Sequence, residues 1–479
     1  MSISTTIKTI QDIMRKDAGV DGDAQRISQL VWMIFLKVFD AREEKYELLE
    51  NNYKSPIPEG LRWRNWAADS EGITGDALLD FVDNALFKTL KKLRTTATDP
   101  RGRMIGKMFE DAYNYMKNGT LIRQVINKLN EVDFNKKEQK KQFSEIYEKI
   151  LQDLQSAGNA GEYYTPRAVT KFIVDRVKPQ LGEIVLDPAC GTGGFLTAAI
   201  DYIRQHCQSA DVPEILQRTI HGTEKKPLPY NLCVTNLILH GIDVPEAEHD
   251  NTLVRSLRDY SPQEEVDVII TNPPFGGMEE DGIEDNFPTN FRTRETADLF
   301  LILIAHLLKE GGRGAIVLPD GTLFGEGVKT RIKEKLLQDC NLHTIVRLPN
   351  GVFNPYTGIK TNLLFFTKGE PTETIWYYEH PYPAGYKSYS KTKPIRFEEF
   401  VLEQEWWVNR HENEFAWKVS VEDIKANNYN LDIKNPHQNK AEYVNLDAIL
   451  KEYQILTAEL SEVRNTLKFE LKSSLENNN

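Results

Sequence analysis

The sequence predicts an α/β protein with a doubly wound sheet, preceded by an all-helical domain and followed by a helical tail. From about residue 160 to 370, short β-branched runs alternate with helical stretches, a pattern typical of doubly wound domains. Before that, apolar residues recur at helical spacing with little strand-like alternation. The last segment carries an apolar heptad pattern.

These changes in pattern divide the chain into four parts. Residues 1–155 are predicted to form the helical N-terminal domain, and residues 156–370 the α/β domain. Residues 371–440 are aromatic and charged, and we predict a small irregular extension there. Residues 441–479 are predicted to form one helix whose apolar seam comprises Ile449, Tyr453, Leu456, Leu460, Val463 and Leu467. That seam packs on its own chain or pairs with a partner helix, and we favour the partner.

Composition narrows the functional classes. The 479 residues carry a net charge of -12, which argues against a self-sufficient nucleic-acid binder, because phosphate contacts normally come with a basic surface.

The four cysteines are far apart and show no zinc spacing, so we expect no metal site. A reduced, cytoplasmic protein fits best. The longest apolar run, residues 30–36, is too short to span a bilayer, and no membrane partner is expected.

A glycine-rich turn follows the first predicted strand, in the segment Leu186-Asp187-Pro188-Ala189-Cys190-Gly191-Thr192-Gly193-Gly194-Phe195. The strand is predicted to end at Asp187 and a helix to begin near Phe195. Glycine lets the backbone approach a ligand closely, and a helix N-terminus offers free N–H groups to an anion. The next strand ends in Glu224, a position that can accept both ribose hydroxyls of a nucleoside-bearing cofactor. The structural alternatives are a plain glycine turn and a helix N-cap carboxylate, and we favour the ligand site.

Another candidate loop lies upstream, in the segment Gly161-Glu162-Tyr163-Tyr164-Thr165-Pro166-Arg167. Thr165 and Pro166 are typical of a helix N-cap followed by proline at the first helical position. The glycine and tyrosines before them form a loop that could close over a ligand. A purely structural role as a helix start is the alternative.

The most informative segment is Asn272-Pro273-Pro274-Phe275, which directly follows a predicted buried strand over residues 266–271. Two prolines stiffen a loop at the carboxyl end of that strand, where open α/β sheets place ligands. The Asn272 oxygen and the Pro273 carbonyl can each accept one N–H of a planar amine, while Phe275 stacks on the ring. Catalysis then comes from orientation and preorganised dipoles. The alternative is a strand-ending turn with a core phenylalanine.

Occurring together in this order, the three motifs resemble those of amino (N6-adenine) DNA methyltransferases of the gamma arrangement, which use S-adenosylmethionine. Over nearly its whole length, the chain is similar to the modification (M) subunits of type I restriction-modification systems. The resemblance implies a Rossmann-like methyltransferase fold. It also implies methyl transfer to N6 of a flipped adenine in double-stranded DNA.

The resemblance further implies a role for each motif. Around the methionine end of the cofactor it places Glu162, Tyr163, Tyr164, Thr165, Pro166 and Arg167. Around the amino-acid and sulfonium part it places Asp187, Gly191, Thr192, Gly193 and Gly194. Glu224 would hold the ribose, and Asn251, where the family often has an acid, would contact the cofactor adenine. The target adenine, once extruded from the duplex, would be held by the loop of Asn272, Pro273, Pro274 and Phe275.

Partners are implied as well. In this family a specificity subunit reads the DNA, typically with two M subunits for each specificity subunit, and a restriction subunit joins to form the nuclease. The acidic charge and the lack of an obvious recognition domain agree with that division of labour. Two alternatives stay open. One is a methyltransferase for another planar amine, such as a protein glutamine or an RNA guanine, and the other is a non-catalytic assembly module.

Overall fold

The computed structural model describes residues 3–131, 147–148, 150–151, 164–437, 456–458, 460–461 and 463–468. Several predicted positions lie outside these residues, namely Glu162, Tyr163, Ile449 and Tyr453. No helix in the described part of the chain is both long and apolar enough to cross a membrane.

The N-terminal part is helical, as the sequence predicts. Its α-helices are α1 Ile3–Met14, α2 Gly22–Leu49, α3 Trp63–Trp66, α4 Gly75–Asp80, α5 Phe87–Thr96, α6 Pro100–Glu110 and α7 Gly119–Asn130. Caps fix where they begin: the Asp99 carboxylate accepts from the Gly102 backbone N–H at 2.9 Å at the start of α6. A proline occupies the first turn of that helix, where its missing N–H costs nothing.

The longest helix, α2, joins the helical domain to the rest of the molecule. Trp32 of α2 is buried and meets Phe87 edge to face, with ring centroids 5.1 Å apart. Further along the same helix, Arg42 donates to the Ile242 carbonyl at 3.1 Å and pairs with Asp243. The helical domain is therefore held to the α/β domain by packing and by charge-assisted hydrogen bonds.

The α/β domain is built on a nine-stranded sheet in the order β3-β2-β1-β4-β5-β7-β6-β8-β9. The strands are β1 Val185–Asp187, β2 Ile220–Glu224, β3 Glu246–His249, β4 Val266–Thr271, β5 Leu308–Pro319, β6 Cys340–Arg347, β7 Thr361–Lys368, β8 Thr374–Glu379 and β9 Ala416–Ser420. From β3 to β5 all neighbours are parallel, and β7 runs antiparallel between β5 and β6. The strand order reverses between β1 and β4, which is where such sheets bind ligands.

Helices cover both faces of this sheet. They are α8 Arg167–Val177, α9 Gly194–His206, α10 Val212–Leu216, α11 Pro227–Leu239, α12 Thr296–Leu307, α13 Asp320–Phe324, α14 Val328–Asp339, α15 Val401–Val408 and α16 Val421–Ala426. In β4, Val268 and Ile270 join one hydrophobic core and Ile269 joins the other, because successive strand residues point to opposite faces. The predicted α/β fold class with a helical N-terminal domain is confirmed.

Residues 371–440 differ from the irregular extension that the sequence predicts. β8 pairs with β6 in parallel, and β9 pairs with β8 antiparallel, so the segment continues the sheet. Tyr377 of β8 stacks on Trp417 of β9 with centroids 5.3 Å apart, and both side chains are buried. Large aromatic side chains thus fill the core positions of two short strands. The four domain boundaries stay predictions.

The described residues of the tail are helical. Four seam side chains lie within them, and each is at least 57% exposed: Leu456, Leu460, Val463 and Leu467. An apolar stripe at heptad spacing is therefore presented to solvent. Pairing of this helix with a partner stays a prediction.

Candidate active site

A cleft opens at the carboxyl ends of β1, β2 and β4, the edge of the sheet where open α/β folds bind ligands. Its lining includes eight residues singled out in the sequence: Thr165, Asp187, Gly191, Thr192, Gly194, Glu224, Asn272 and Pro274. The structure thus brings the three motifs together. The other lining residues were given no role of their own from the sequence: Ala189, Cys190, Phe195, Lys225 and Lys226. Each lies within two positions of a predicted site residue.

The glycine-rich turn depends on its glycines. Gly191 and Gly193 have φ of +52° and +77°, a left-handed conformation that other residues adopt only at a cost. A Cβ on Gly193 would also lie 2.9 Å from the Sγ of Cys233 on α11. The turn is therefore held close to α11, and α9 begins directly after it at Gly194, which lines the cleft.

Glu224 ties the turn to the end of β2. Its Oε2 accepts from the Gly191 backbone N–H at 3.0 Å, and its Oε1 accepts from the Lys226 backbone N–H at 2.7 Å. Glu224 therefore connects the glycine-rich turn to the end of β2, and its side chain lines the cleft.

Asp187 is a buried acid at the base of the cleft, only 1% exposed. Its Oδ1 accepts from the Thr271 hydroxyl at 2.6 Å and from the Ala189 backbone N–H at 3.2 Å. Burial raises the pKa of Asp187 to about 7, against the opposing effect of these two hydrogen bonds, and Glu224 adds to the rise. The cleft therefore offers a carboxylate that a cationic ligand would stabilise in its charged form.

Asn272 connects the upstream loop with the Asn-Pro-Pro-Phe loop. Its Nδ2 donates to the Thr165 hydroxyl at 3.0 Å, which fixes the orientation of the carboxamide. Its Oδ1 is buried and accepts no hydrogen bond from the residues that the structure describes. A buried acceptor without a donor costs about 1–3 kcal/mol, so this oxygen is suited to receive an N–H from a ligand.

Arg167 presents a second set of buried, unused hydrogen-bonding groups. Its Nε donates to the Glu148 carboxylate at 2.8 Å, and the Tyr164 hydroxyl donates to the same oxygen at 2.9 Å. Within the described part of the chain, both terminal nitrogens of Arg167 are buried and have no acceptor. A Cβ on Gly194 would lie 2.1 Å from Nη1, so the guanidinium lies against the first turn of α9. An anionic group would be well placed there.

Phe275 lies at the rim of the site, partly buried. Its ring meets Phe353 edge to face, with centroids 5.4 Å apart and an interplanar angle of 80°. Phe353 follows β6 at the same edge of the sheet and was missed from the sequence, where its only signal is an aromatic residue shortly after a strand end. The Asn272 loop therefore ends in an aromatic ring that packs against a second one from the segment after β6. Pro273 of the same loop is buried.

Asn251 does not line the cleft. Its Oδ1 accepts from the Leu253 backbone N–H at 3.1 Å, and its Nδ2 donates to Glu279 at 3.0 Å. The side chain thus caps a short 3₁₀ turn, Thr252–Val254. Its contact with a cofactor adenine stays a prediction.

Known proteins share this architecture. The family model described as N-6 DNA Methylase matches residues 138–444, and that of the HsdM N-terminal domain matches residues 3–129. The chain is 60% identical to the type I restriction enzyme EcoEI methylase subunit of Escherichia coli, over 100% of this chain and 99% of that protein.

Solved structures agree. A modification subunit of a putative type I restriction enzyme from Vibrio vulnificus YJ016 is 44% identical with a TM-score of 0.81, covering 91% of this chain and 97% of that one. A chain from a structure describing complex assembly of the type I R-M system is 36% identical with a TM-score of 0.82, covering 97% and 98%.

These matches span both the helical and the α/β parts of the chain, and they decide between the alternatives left open by the sequence. An assembly module without activity and a methyltransferase for other planar amines are both set aside. The chain belongs to the N-6 DNA methylase family: it is the modification subunit of a type I restriction-modification system, an enzyme that methylates adenine N6 in DNA.

Proposed function

We propose that this chain binds S-adenosylmethionine in the cleft between β1, β2 and β4, and that Asn272 holds the N6 amine of the extruded adenine beside it. The observation that carries the proposal is the buried, unsatisfied Oδ1 of Asn272 in a side chain that lines the same cleft as Asp187 and Glu224. The residues that we propose to hold the acceptor and the cofactor therefore line one cleft.

The residues of the cleft fit the cofactor by charge. S-adenosylmethionine supplies an electrophilic methyl group on a sulfonium. Asp187, whose pKa is near 7 in the free chain, favours that cationic region. The terminal nitrogens of Arg167 are buried and have no acceptor among the described residues, so they suit the carboxylate of the methionine part, with Tyr164, Thr165 and Pro166 alongside. Glu224, a carboxylate that ends β2 and lines the cleft, accepts the ribose hydroxyls.

The Asn272 loop orients the acceptor nitrogen. The Asn272 Oδ1 and the Pro273 carbonyl each accept one N–H, which turns the N6 lone pair toward the methyl group. As the N–C bond forms and the C–S bond breaks, the two oxygens stabilise the positive charge that develops on N6. N6 then loses one proton to solvent. Phe275 and Phe353 fix the plane of the base by contact with its ring.

Thr165 is proposed as a positioning residue that acts through Asn272. Thr165→Val keeps the shape of the side chain but removes the acceptor of the Asn272 Nδ2, so the carboxamide is free to rotate. We expect kcat to fall about tenfold or more, since misplacement of a reacting group carries penalties of this order, with little change in the KM for S-adenosylmethionine. Steady-state kinetics measure both parameters. Thr165→Ser restores the hydroxyl and should recover most of the rate, whereas wild-type kcat in Thr165→Val would contradict the role.

As a type I modification subunit, the protein works with specificity and restriction subunits on DNA. We further propose that two copies join each specificity subunit, that the exposed seam of residues 456–467 docks on it, and that the complex acts in the cytoplasm. The four cysteines are free, which supports a reducing compartment.

The docking proposal is tested by Leu460→Ser combined with Val463→Ser. Both side chains are exposed, at 57% and 67%, so the chain should stay folded but should no longer copurify with its specificity subunit. Ala458→Ser with Asn465→Ser changes the opposite face of the same helix and should leave assembly intact. Native mass spectrometry of the wild-type complex reports the stoichiometry. Wild-type assembly by the seam variant would contradict the docking role.

A further inference from the structure

A basic loop, residues 381–396, follows β8 at the same edge of the sheet as the active site. It contains four exposed cations: Lys387, Lys391, Lys393 and Arg396. It contains no aspartate or glutamate, although the whole chain has a net charge of -12. Tyrosines are interleaved with the lysines, at Tyr382, Tyr386 and Tyr389. The net charge of this loop is therefore positive, whereas the net charge of the whole chain is negative.

The basic loop is anchored to the segment that touches the Asn272 loop. Residues 348–360 connect β6 to β7 and include Phe353, whose ring contacts Phe275. The next residue, Asn354, donates from Nδ2 to the Tyr389 carbonyl at 3.0 Å. The Tyr382 hydroxyl donates to the Asn350 carbonyl at 3.0 Å. The basic loop is therefore one segment away from the aromatic rings proposed to hold the target base.

The basic loop and the segment between β6 and β7 lie so close together at residue 351 that only glycine fits there. Gly351 has φ of +83°, and a Cβ there would lie 2.5 Å from the Ser388 Oγ and 2.6 Å from the Tyr389 carbonyl oxygen. Tyr389 is itself buried, and its hydroxyl donates to Glu399 at 2.5 Å. The backbone of the basic loop is thus fixed by packing, while its lysines extend into solvent.

The ammonium groups of these lysines have no carboxylate partner within the described part of the chain. Among the residues that the structure describes, no salt bridge engages Lys387, Lys391 or Lys393, and the Lys393 ammonium lies 5.2 Å from the centroid of the Tyr386 ring. Other cations of the α/β domain do have carboxylate partners, among them Arg313 with Glu183 at 2.6 Å and Lys309 with Asp267 at 2.8 Å. Like charges held close together repel each other, so a cluster of this kind is suited to an anionic partner.

We propose that the basic loop binds the phosphate backbone of DNA beside the extruded adenine, without regard to base sequence. Lysine is a compact point charge on a flexible stem, and contacts of this type position a protein on DNA but carry no sequence information. The location relative to the target base rests on the proposed role of Asn272. The loop would supply part of the phosphate contact that the acidic chain otherwise lacks.

The test uses the full chain assembled with its specificity subunit, and the variant Lys387→Gln/Lys391→Gln/Lys393→Gln. DNA affinity is measured over a range of salt concentrations, with duplexes that contain or lack the recognition site. The logarithm of the DNA affinity falls linearly with the logarithm of the salt concentration, and each lost phosphate contact makes that slope shallower by about 0.9. For three lost contacts we expect a slope that is shallower by about 2 to 3. We also expect binding about tenfold or more weaker on both duplexes near physiological salt. S-adenosylmethionine affinity should not change.

A matched control removes the same charge from the opposite edge of the sheet, with Lys178→Gln/Lys335→Gln/Lys368→Gln. These positions precede β1, precede β6 and end β7, and the control should keep the wild-type slope. A basic-loop variant with the same slope as this control would overturn the proposal. A second result would also overturn the proposal. If the basic-loop variant assembles poorly with the specificity subunit, but the complex that does form keeps the wild-type salt dependence of DNA affinity, the loop contacts protein and not DNA. Failure of the base-holding role would appear separately, as methyl transfer by Asn272→Ala.

Discussion

Asn272→Ala is expected to abolish methyl transfer while S-adenosylmethionine binding survives. The substitution removes the buried Oδ1, which we propose accepts one N6 hydrogen and stabilises the charge developing on N6. Removing one preorganised hydrogen-bonding group of this kind from an active site costs about 10²–10³-fold in rate, and loss of the alignment adds to it. Single-turnover methylation of a duplex containing the recognition site, in the assembled complex, measures the chemical step. Calorimetry measures cofactor affinity.

A control for this variant is Asn290→Ala, in an exposed position away from the cleft, which should methylate DNA at the wild-type rate. Two results would contradict the role given to Asn272. One is a wild-type single-turnover rate in Asn272→Ala. The other is a loss of cofactor binding that accounts for the whole loss of activity, since Asn272 would then serve the cofactor and not the adenine.

Binding of S-adenosylmethionine is expected to weaken as the pH falls below about 7. The pKa of Asp187 in the free chain is raised to about 7, and a cation bound beside it favours the carboxylate and lowers that pKa. Below pH 7 the free chain must release a proton to bind, so affinity should fall by up to about tenfold per pH unit. Above pH 7 the carboxylate is already ionised and affinity should level off.

The matched variant for this effect is Asp187→Asn, which keeps an acceptor for Thr271 but has no charge. Its affinity for S-adenosylmethionine at pH 8 should be about 10- to 100-fold weaker, the range expected for a lost charge-assisted hydrogen bond. Its binding should also lose the pH dependence. Calorimetry at pH 6.5 in two buffers of different ionisation enthalpy counts the protons released. Equal pH profiles for wild type and Asp187→Asn would assign the titration to another group.

The parts of the site that could be predicted from sequence are those encoded within a single short segment. A strand running into glycines or prolines specifies its own turn, so Asp187, Gly191, Glu224 and Asn272 could be identified without coordinates. Contacts between distant segments could not be predicted from the sequence. The hydrogen bond from Asn272 to Thr165 joins residues 107 apart in sequence, and neither residue alone indicates it.

Other differences from the predictions have local causes. Phe353 belongs to a loop with no distinctive motif, and its role emerges only when its ring meets Phe275. Strands β8 and β9 are short, with charged residues around them, so their pairing with a distant strand decides their structure. The side chain of Asn251 caps a turn, a local use that asparagine often makes of its amide, and its predicted contact with the cofactor adenine stays a prediction.

The paired acceptors of the Asn272 loop also bear on product release. Adenine N6 offers two hydrogens, whereas N6-methyladenine offers one. In the arrangement that we propose, methyl transfer would leave either the Asn272 Oδ1 or the Pro273 carbonyl without its donor. The Asn272 Oδ1 is buried in the protein, where water replaces a lost donor poorly. We therefore expect the methylated base to be held less tightly than its precursor and to return to the duplex without a separate step of ejection.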